Sequence, residues 1–157
     1  MGRENTFIQK ILSDKELYDK LMYRFNEGDP FSALAGIKTT AIGDGWAEGE
    51  LEISPSSMNP VGVVHGGCIV TLCDTVAGTA VFSTGVRSVT LNSTTNFLRE
   101  ARTGKITCRG EMVKTGRTIS VCDVAVKDED DRLIATGSYT FFVKELAEDA
   151  LSRLDEA

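Results

Sequence analysis

The run from Gly66 to Phe82, GGCIVTLCDTVAGTAVF, constrains the fold of this chain more than any other stretch. Ile69, Leu72, Cys73, Val76, Ala77, Ala80 and Val81 recur at i, i+3, i+4 spacing, which predicts a long helix. The side opposite Leu72 and Cys73 is built from Gly67, Thr71, Thr75 and Gly78, which are small rather than charged. A helix that is apolar or small all round has to be covered all round. From Val86 the period changes to two and predicts strands over about 87–98, 105–115, 117–127 and 132–143. The fold class that follows is α+β, an antiparallel sheet wrapped around one long central helix. One sheet covers only part of such a helix. A second subunit is therefore expected on the Gly/Thr side.

The flanking segments fit a single domain over 1–157, with a helical segment to about residue 35, a core from 36 to 143 and a short terminal helix over 144–155. Ser13-Asp14-Lys15-Glu16 has the capping-box pattern, with Ser13 as cap. Leu17, Leu21, Met22 and Phe25 then follow at helical spacing, and Gly28 with Pro30 reads as the stop. In WAEGELEIS, Glu48, Glu50 and Glu52 alternate with Ala47, Gly49, Leu51 and Ile53, a half-buried strand. Pro55 and Pro60 bracket a loop. Thr115-Gly116 and the acidic tip Asp128-Glu129-Asp130-Asp131 mark hairpin turns, the tip reading as solvated.

Composition removes several function classes. A net charge of −6 argues against sequence-independent nucleic-acid binding, which needs clustered Lys and Arg. Cys68, Cys73, Cys108 and Cys122 form no CxxC pair, and one histidine cannot complete a Cys/His zinc site. No metal is expected. The cysteines read as small buried hydrophobes in a reducing compartment. The charged start MGRENTFIQKILSDKE has no apolar core of a signal peptide, and the 66–82 run carries Asp74 and many Thr and Gly. The expectation is a cytoplasmic protein with no membrane partner.

One acid stands apart. From Thr39 to Val86 there is no lysine or arginine, and Asp74 is the only carboxylate between Glu52 and Glu100. It sits at the edge of the apolar stripe, roughly 140° round from Ile69 at the helical rotation per residue. Just upstream, NPVGVVHGG holds the single histidine, His65, followed by Gly66 and Gly67.

The stretch NPVGVVHGGCIVTLCDTVAGTAV resembles the signature of hotdog-fold acyl-CoA thioesterases of the PaaI-like, phenylacetate-degradation group. Asn59, Gly62, His65-Gly66-Gly67 and Asp74 match that signature in order and spacing. The likeness runs from about Phe31 to Val143 and takes in Thr90, where the family carries Ser or Thr, the tract NFLREARTG and the closing IATGSYTFF. Glu100 departs from it, many relatives having proline there.

The chemistry this implies can be reasoned through. Thioester hydrolysis builds negative charge on the carbonyl oxygen, and amides at a helix N-terminus stabilise it. Gly66 is the expected oxyanion donor; without side chains, Gly66 and Gly67 let a carbonyl approach. Asp74 is the expected general base or nucleophile. It lies too far along its own helix to serve a carbonyl at that helix's start, so a site using both needs two chains. The resemblance implies a dimer in which Asn59 and Gly66 of one subunit face Asp74 and Thr90 of the other, in a homodimer or a homotetramer. Thr90 would orient the water or the carboxylate, Asn59 would bond water or thioester, and His65 would order the turn or contact substrate. Coenzyme A, part of the substrate rather than a cofactor, calls for cations at the entrance, for which Arg99, Arg102, Lys114 and Arg117 are the candidates. Phe31 and Leu34 are expected to help the 69–82 helix line the acyl tunnel. Two other readings compete: a non-catalytic acyl-CoA-binding module, which has no need of Asp74 and Thr90, and a dehydratase or hydratase, which needs a histidine and a carboxylate in one site.

Overall fold

The computed structural model describes residues 5–147 and Leu151. Three helices come first: α1 (Thr6–Ser13), α2 (Lys15–Glu27) and α3 (Pro30–Leu34). The single helix predicted here is corrected to three, and the cap moves by one residue. Asp14 is extended and its carboxylate accepts from the Leu17 amide at 3.1 Å, while the Ser13 hydroxyl closes α1 by donating to Lys10 O. Aspartate caps as well as serine does. Glu16 pairs with Lys20 instead of reaching back. Gly28 does end α2, but Pro30 opens α3, in the first turn where its missing N–H costs nothing.

The remaining elements are β1 (Ile37–Gly43), β2 (Trp46–Glu52), α4 (Gly66–Ser83), β3 (Val86–Phe97), β4 (Lys105–Lys114), β5 (Ile119–Asp128) and β6 (Leu133–Leu146). β1 escaped the sequence reading because Thr39 and Thr40 blur its alternation. Pro55–Ser57, inside the predicted loop, forms one 3-10 turn. Lys144 to Leu146 continue β6, paired with Val86 and Arg87, which corrects the start of the predicted terminal helix. Leu151 is helical; the rest of that helix beyond Ala147 lies outside the described residues.

All pairings are antiparallel, in the order β1-β2-β4-β5-β6-β3. The sheet curls around α4, whose Leu72, Val76, Ala80 and Val81 are fully buried in one cluster with Ile106, Val126 and Ile134. Burying side chains of this size contributes about 1.5–3 kcal/mol each. A second cluster joins Phe7, Ile8, Ile11 and Leu21 to Ile42, with Phe25 and Phe82 packed on it. This seats α1 and α2 on the C-terminal end of α4.

Close approach of α4 to the sheet depends on Gly49. A Cβ there would lie 2.6 Å from Val76 Cγ2 and 2.9 Å from Lys38 O. Gly49→Ala is expected to lower stability by about 1–3 kcal/mol, the scale of overpacking. A melting temperature equal to wild type would show instead that α4 can back away freely.

β3 lies at one edge of the sheet, and Val89, Leu91, Phe97 and Leu98 on and just after it are exposed. A long edge with bare apolar side chains is a template for pairing with another chain. The Gly/Thr side of α4 is less bare than its sequence suggests. Thr75 Oγ1 meets Ser32 Oγ of α3 at 3.0 Å, and Phe141 of β6 lies against Gly78.

Candidate active site

The loop into α4 is built to present one amide. Asn59 Oδ1 accepts from the Val61 and Val63 amides at 3.1 and 3.2 Å, which holds the turn and leaves its NH2 group to donate outward. His65 caps α4: its Nδ1 accepts from Gly67 N at 2.8 Å. His65 thus orders the turn, and Gly67's amide is committed to it. The Cys68 and Ile69 amides bond His65 O. Among the described residues the Gly66 amide carries no hydrogen bond, at the positive end of an 18-residue helix. Phe97 of β3 packs over it, 3.3 Å from where a Gly66 Cβ would be.

Asp74 lies eight residues further along α4, about 12 Å at the helical rise. Thr90 of β3 donates to its Oδ1 at 2.8 Å, so two of the predicted residues do meet within one chain. No cation pairs with Asp74 among the described residues. Burial raises its pKa above the ordinary carboxylate value, and the Thr90 hydrogen bond pulls the other way. Asn59 and Gly66 stay at the other end of the helix, and one chain does not bring the two halves together.

A groove of about 550 Å³ runs from Asp74 and Thr90 past Gly78 to Phe82, Phe25 and Phe141. Phe31 and Leu34, expected to line the acyl tunnel, do not line this groove and are 68% and 80% exposed in the single chain. A hollow of about 610 Å³ on the outside of the sheet, beside the Glu48–Arg109–Glu111 ion pairs, holds none of the candidate residues.

The cations divide. The crossover from β3 to β4 passes the Gly66 end of the helix, held by Val64 N to Ala101 O at 2.9 Å. It carries Arg99, which donates to Leu133 O, and Arg102, which bonds Glu100 and Gly62 O. Arg132, missed in the sequence because it sits in an acidic turn, shares a cavity of about 480 Å³ with both. Lys114 and Arg117 lie in the hairpin between β4 and β5, at the far end of these strands from Lys105. Also missed was Tyr139 of β6, fully buried, whose hydroxyl meets Thr95 Oγ1 at 2.8 Å and Val70 O at 3.4 Å. It ties α4 to β3, the two elements that carry Asp74 and Thr90. All four cysteines are unpaired, and burial pushes the Cys122 thiol up to about 12. Cys73, Cys108 and Cys122 are buried in the core, with Cys68 packed against it.

Residues 61–135 match the thioesterase superfamily. A Streptococcus pneumoniae protein described as a hypothetical thioesterase, solved with coenzyme A, is 33% identical, with 80% of this chain and 98% of that one covered at a TM-score of 0.73. The chain belongs to the thioesterase superfamily. A Haemophilus influenzae thioesterase superposes at a TM-score of 0.74 with 29% identity, covering 80% of this chain and 91% of that one. The PaaI protein of the E. coli phenylacetic acid degradation operon shares the fold at 0.76 and 20% identity, over 83% of this chain and 95% of its own. This member of the superfamily is therefore a thioester hydrolase with a hotdog fold, the sheet being the bun and α4 the filling. Gly66–Ser83 is long and apolar enough to cross a bilayer, yet it is the core helix of that fold.

Proposed function

We propose that this thioesterase hydrolyses acyl-CoA in a site shared by two subunits, Asn59 and Gly66 of one facing Asp74 and Thr90 of the other. One observation carries the reading. A free amide at the start of α4 and an unneutralised acid on the same helix stand about 12 Å apart, too far to serve one carbonyl. The exposed β3 edge gives a second copy somewhere to pair, and a two-fold axis there would lay each Asp74 toward its mate's Gly66. Two such dimers would make the tetramer, with Val113 and Phe142 as exposed apolar contacts elsewhere on the sheet. The coenzyme A held by the Streptococcus pneumoniae relative supports CoA as the leaving group. Arg99, Arg102 and Arg132 would meet its phosphates at the helix start, and the partner's β4–β5 hairpin would bring Lys114 and Arg117.

In this mechanism the carbonyl oxygen accepts from Gly66 N–H as charge builds on it. Thr90 holds Oδ1 of Asp74, so Oδ2 takes the proton of an attacking water, or itself adds to the carbonyl carbon; both roles need the ionised acid. The C–S bond breaks and CoA leaves as the thiol. In the base route its proton is the one Asp74 took from water. In the nucleophile route a water hydrolyses the resulting Asp74 anhydride to the free acid and supplies the proton. No cofactor enters. The unpaired cysteines agree with a cytoplasmic setting.

A panel of acyl-CoAs followed by free-thiol detection tests the reading, and at least one member should release thiol catalytically. Binding of acyl-CoA without thiol release across the panel would sink it in favour of the non-catalytic module. Thr90→Val gives a finer check. Without the donor the pKa of Asp74 rises further, so the acid limb of the kcat/KM profile should move to higher pH. An unmoved limb would mean that the limb reports another group.

A further inference from the structure

We infer that α2 and the end of α4 close the acyl site and that Phe82, braced by Phe25, limits the acyl group to about eight carbons or one aromatic ring system. The inference rests on Asp74 marking the thioester position.

The groove has a marked direction. It starts at Asp74, where the acid and Thr90 fix the reacting carbon, and follows α4 toward its C-terminus. Gly78, one turn on, forms its floor. A Cβ at Gly78 would meet only Phe141, at 3.7 Å, an ordinary contact. The fold therefore has room for alanine there, and alanine would favour the helix by about 1 kcal/mol. What glycine leaves at that point is open space over the helix, next to the Phe141 ring.

Phe25 and Phe82 line the far end, and Phe7 packs on Phe82 outside the lining. Phe82 lies edge-on to Phe25 of α2 and to Phe7 of α1, with centroids 5.4 Å away in both cases and interplanar angles of 90° and 72°. Edge-to-face contacts of this kind are worth about 0.5–1.5 kcal/mol beyond burial. Phe7 is itself buried in the second cluster, so the wall is anchored to the N-terminal helices rather than to a loop. Two charged groups along the groove are engaged elsewhere: Arg87 pairs with Glu145, and Asp29 caps α3 through Ser32.

From Asp74 to Phe82 is eight residues, about 12 Å along the helix. An extended acyl chain advances about 1.25 Å per carbon, from C–C bonds of about 1.5 Å at near-tetrahedral angles. After allowing for the thickness of the Phe82 ring, about eight carbons fit. A palmitoyl group would have to leave the groove.

The test compares kcat/KM for acetyl-, hexanoyl-, octanoyl-, dodecanoyl-, palmitoyl- and phenylacetyl-CoA across three proteins. Wild type should fall off beyond about eight carbons. Phe82→Ala opens the wall, and its dodecanoyl-to-octanoyl ratio should rise at least tenfold. Gly78→Leu fills the floor, and its octanoyl-to-acetyl ratio should fall at least tenfold. Gly78→Leu also keeps the inference exposed if Phe82→Ala does not fold, since that ratio does not depend on the wall variant. A wild type that prefers palmitoyl-CoA overturns the inference while leaving the thioesterase reading intact. So do variants that fold and keep the wild-type chain-length profile. Absence of hydrolysis with every acyl-CoA would instead remove the functional reading, and this inference with it.

Discussion

Asp74→Asn is expected to slow acyl-CoA hydrolysis by roughly a hundredfold or more, the scale of losing a general base. Binding of a non-hydrolysable acyl-CoA analogue should barely change, because the acid acts on the transition state. Two pH measurements sharpen this. Burial raises the pKa of Asp74, with Thr90 opposing, and the role proposed for Asp74 needs the ionised form. Wild-type kcat/KM should therefore fall as pH drops through a value above the ordinary carboxylate range, and this limb should vanish in the Asn variant. Stability runs the other way. The folded chain holds the Asp74 proton to higher pH than the unfolded chain does, so its contribution to stability is lost as pH rises between the two pKa values. At neutral pH the Asn variant should thus be at least as stable as wild type, and its advantage should disappear below the ordinary carboxylate pKa. A variant that hydrolyses at the wild-type rate would end the role assigned to Asp74.

Mixing two inactive variants should restore activity. Gly66→Ala places a methyl where the carbonyl would approach, and its Cβ lies 3.3 Å from Phe97 Cζ, a contact that a small ring movement relieves. The variant should fold and lose most turnover, since misplacing one oxyanion donor costs roughly a hundredfold or more. Co-expressed in equal amounts with Asp74→Asn, half of the dimers are mixed. Each mixed dimer holds one site with both Gly66 and Asp74 intact. Activity should return to about a quarter of wild type. Were each chain to build its own site, the mixture would stay at the average of its two parents, and the shared site would be disproved.

The residues around Asp74 show how far the sequence reached. The absence of Lys and Arg from Thr39 to Val86 marked Asp74 as an unneutralised acid, and the fold keeps it so. The helix start at His65-Gly66 was readable because such a start uses fixed positions: the cap accepts from Gly67, and the Gly66 amide stays open. The N-terminal helices were read less well. Serine and aspartate in sequence both make good caps, and only packing of Phe7, Ile8 and Ile11 against Leu21 decided that a separate α1 precedes Asp14. The wall proposed for the acyl site could not be read at all, since Phe25 and Phe82 are 57 positions apart and meet only after α2 docks on α4.

Periodicity and spacing by themselves determined the central helix, the strands that follow it and the one acid without a nearby cation in sequence, because each depends on neighbours a few residues away. Tertiary structure alone decided which strand is left at the edge, which cations flank the helix start and where the groove from Asp74 ends. Those depend on contacts between distant segments, and a local pattern carries no record of them.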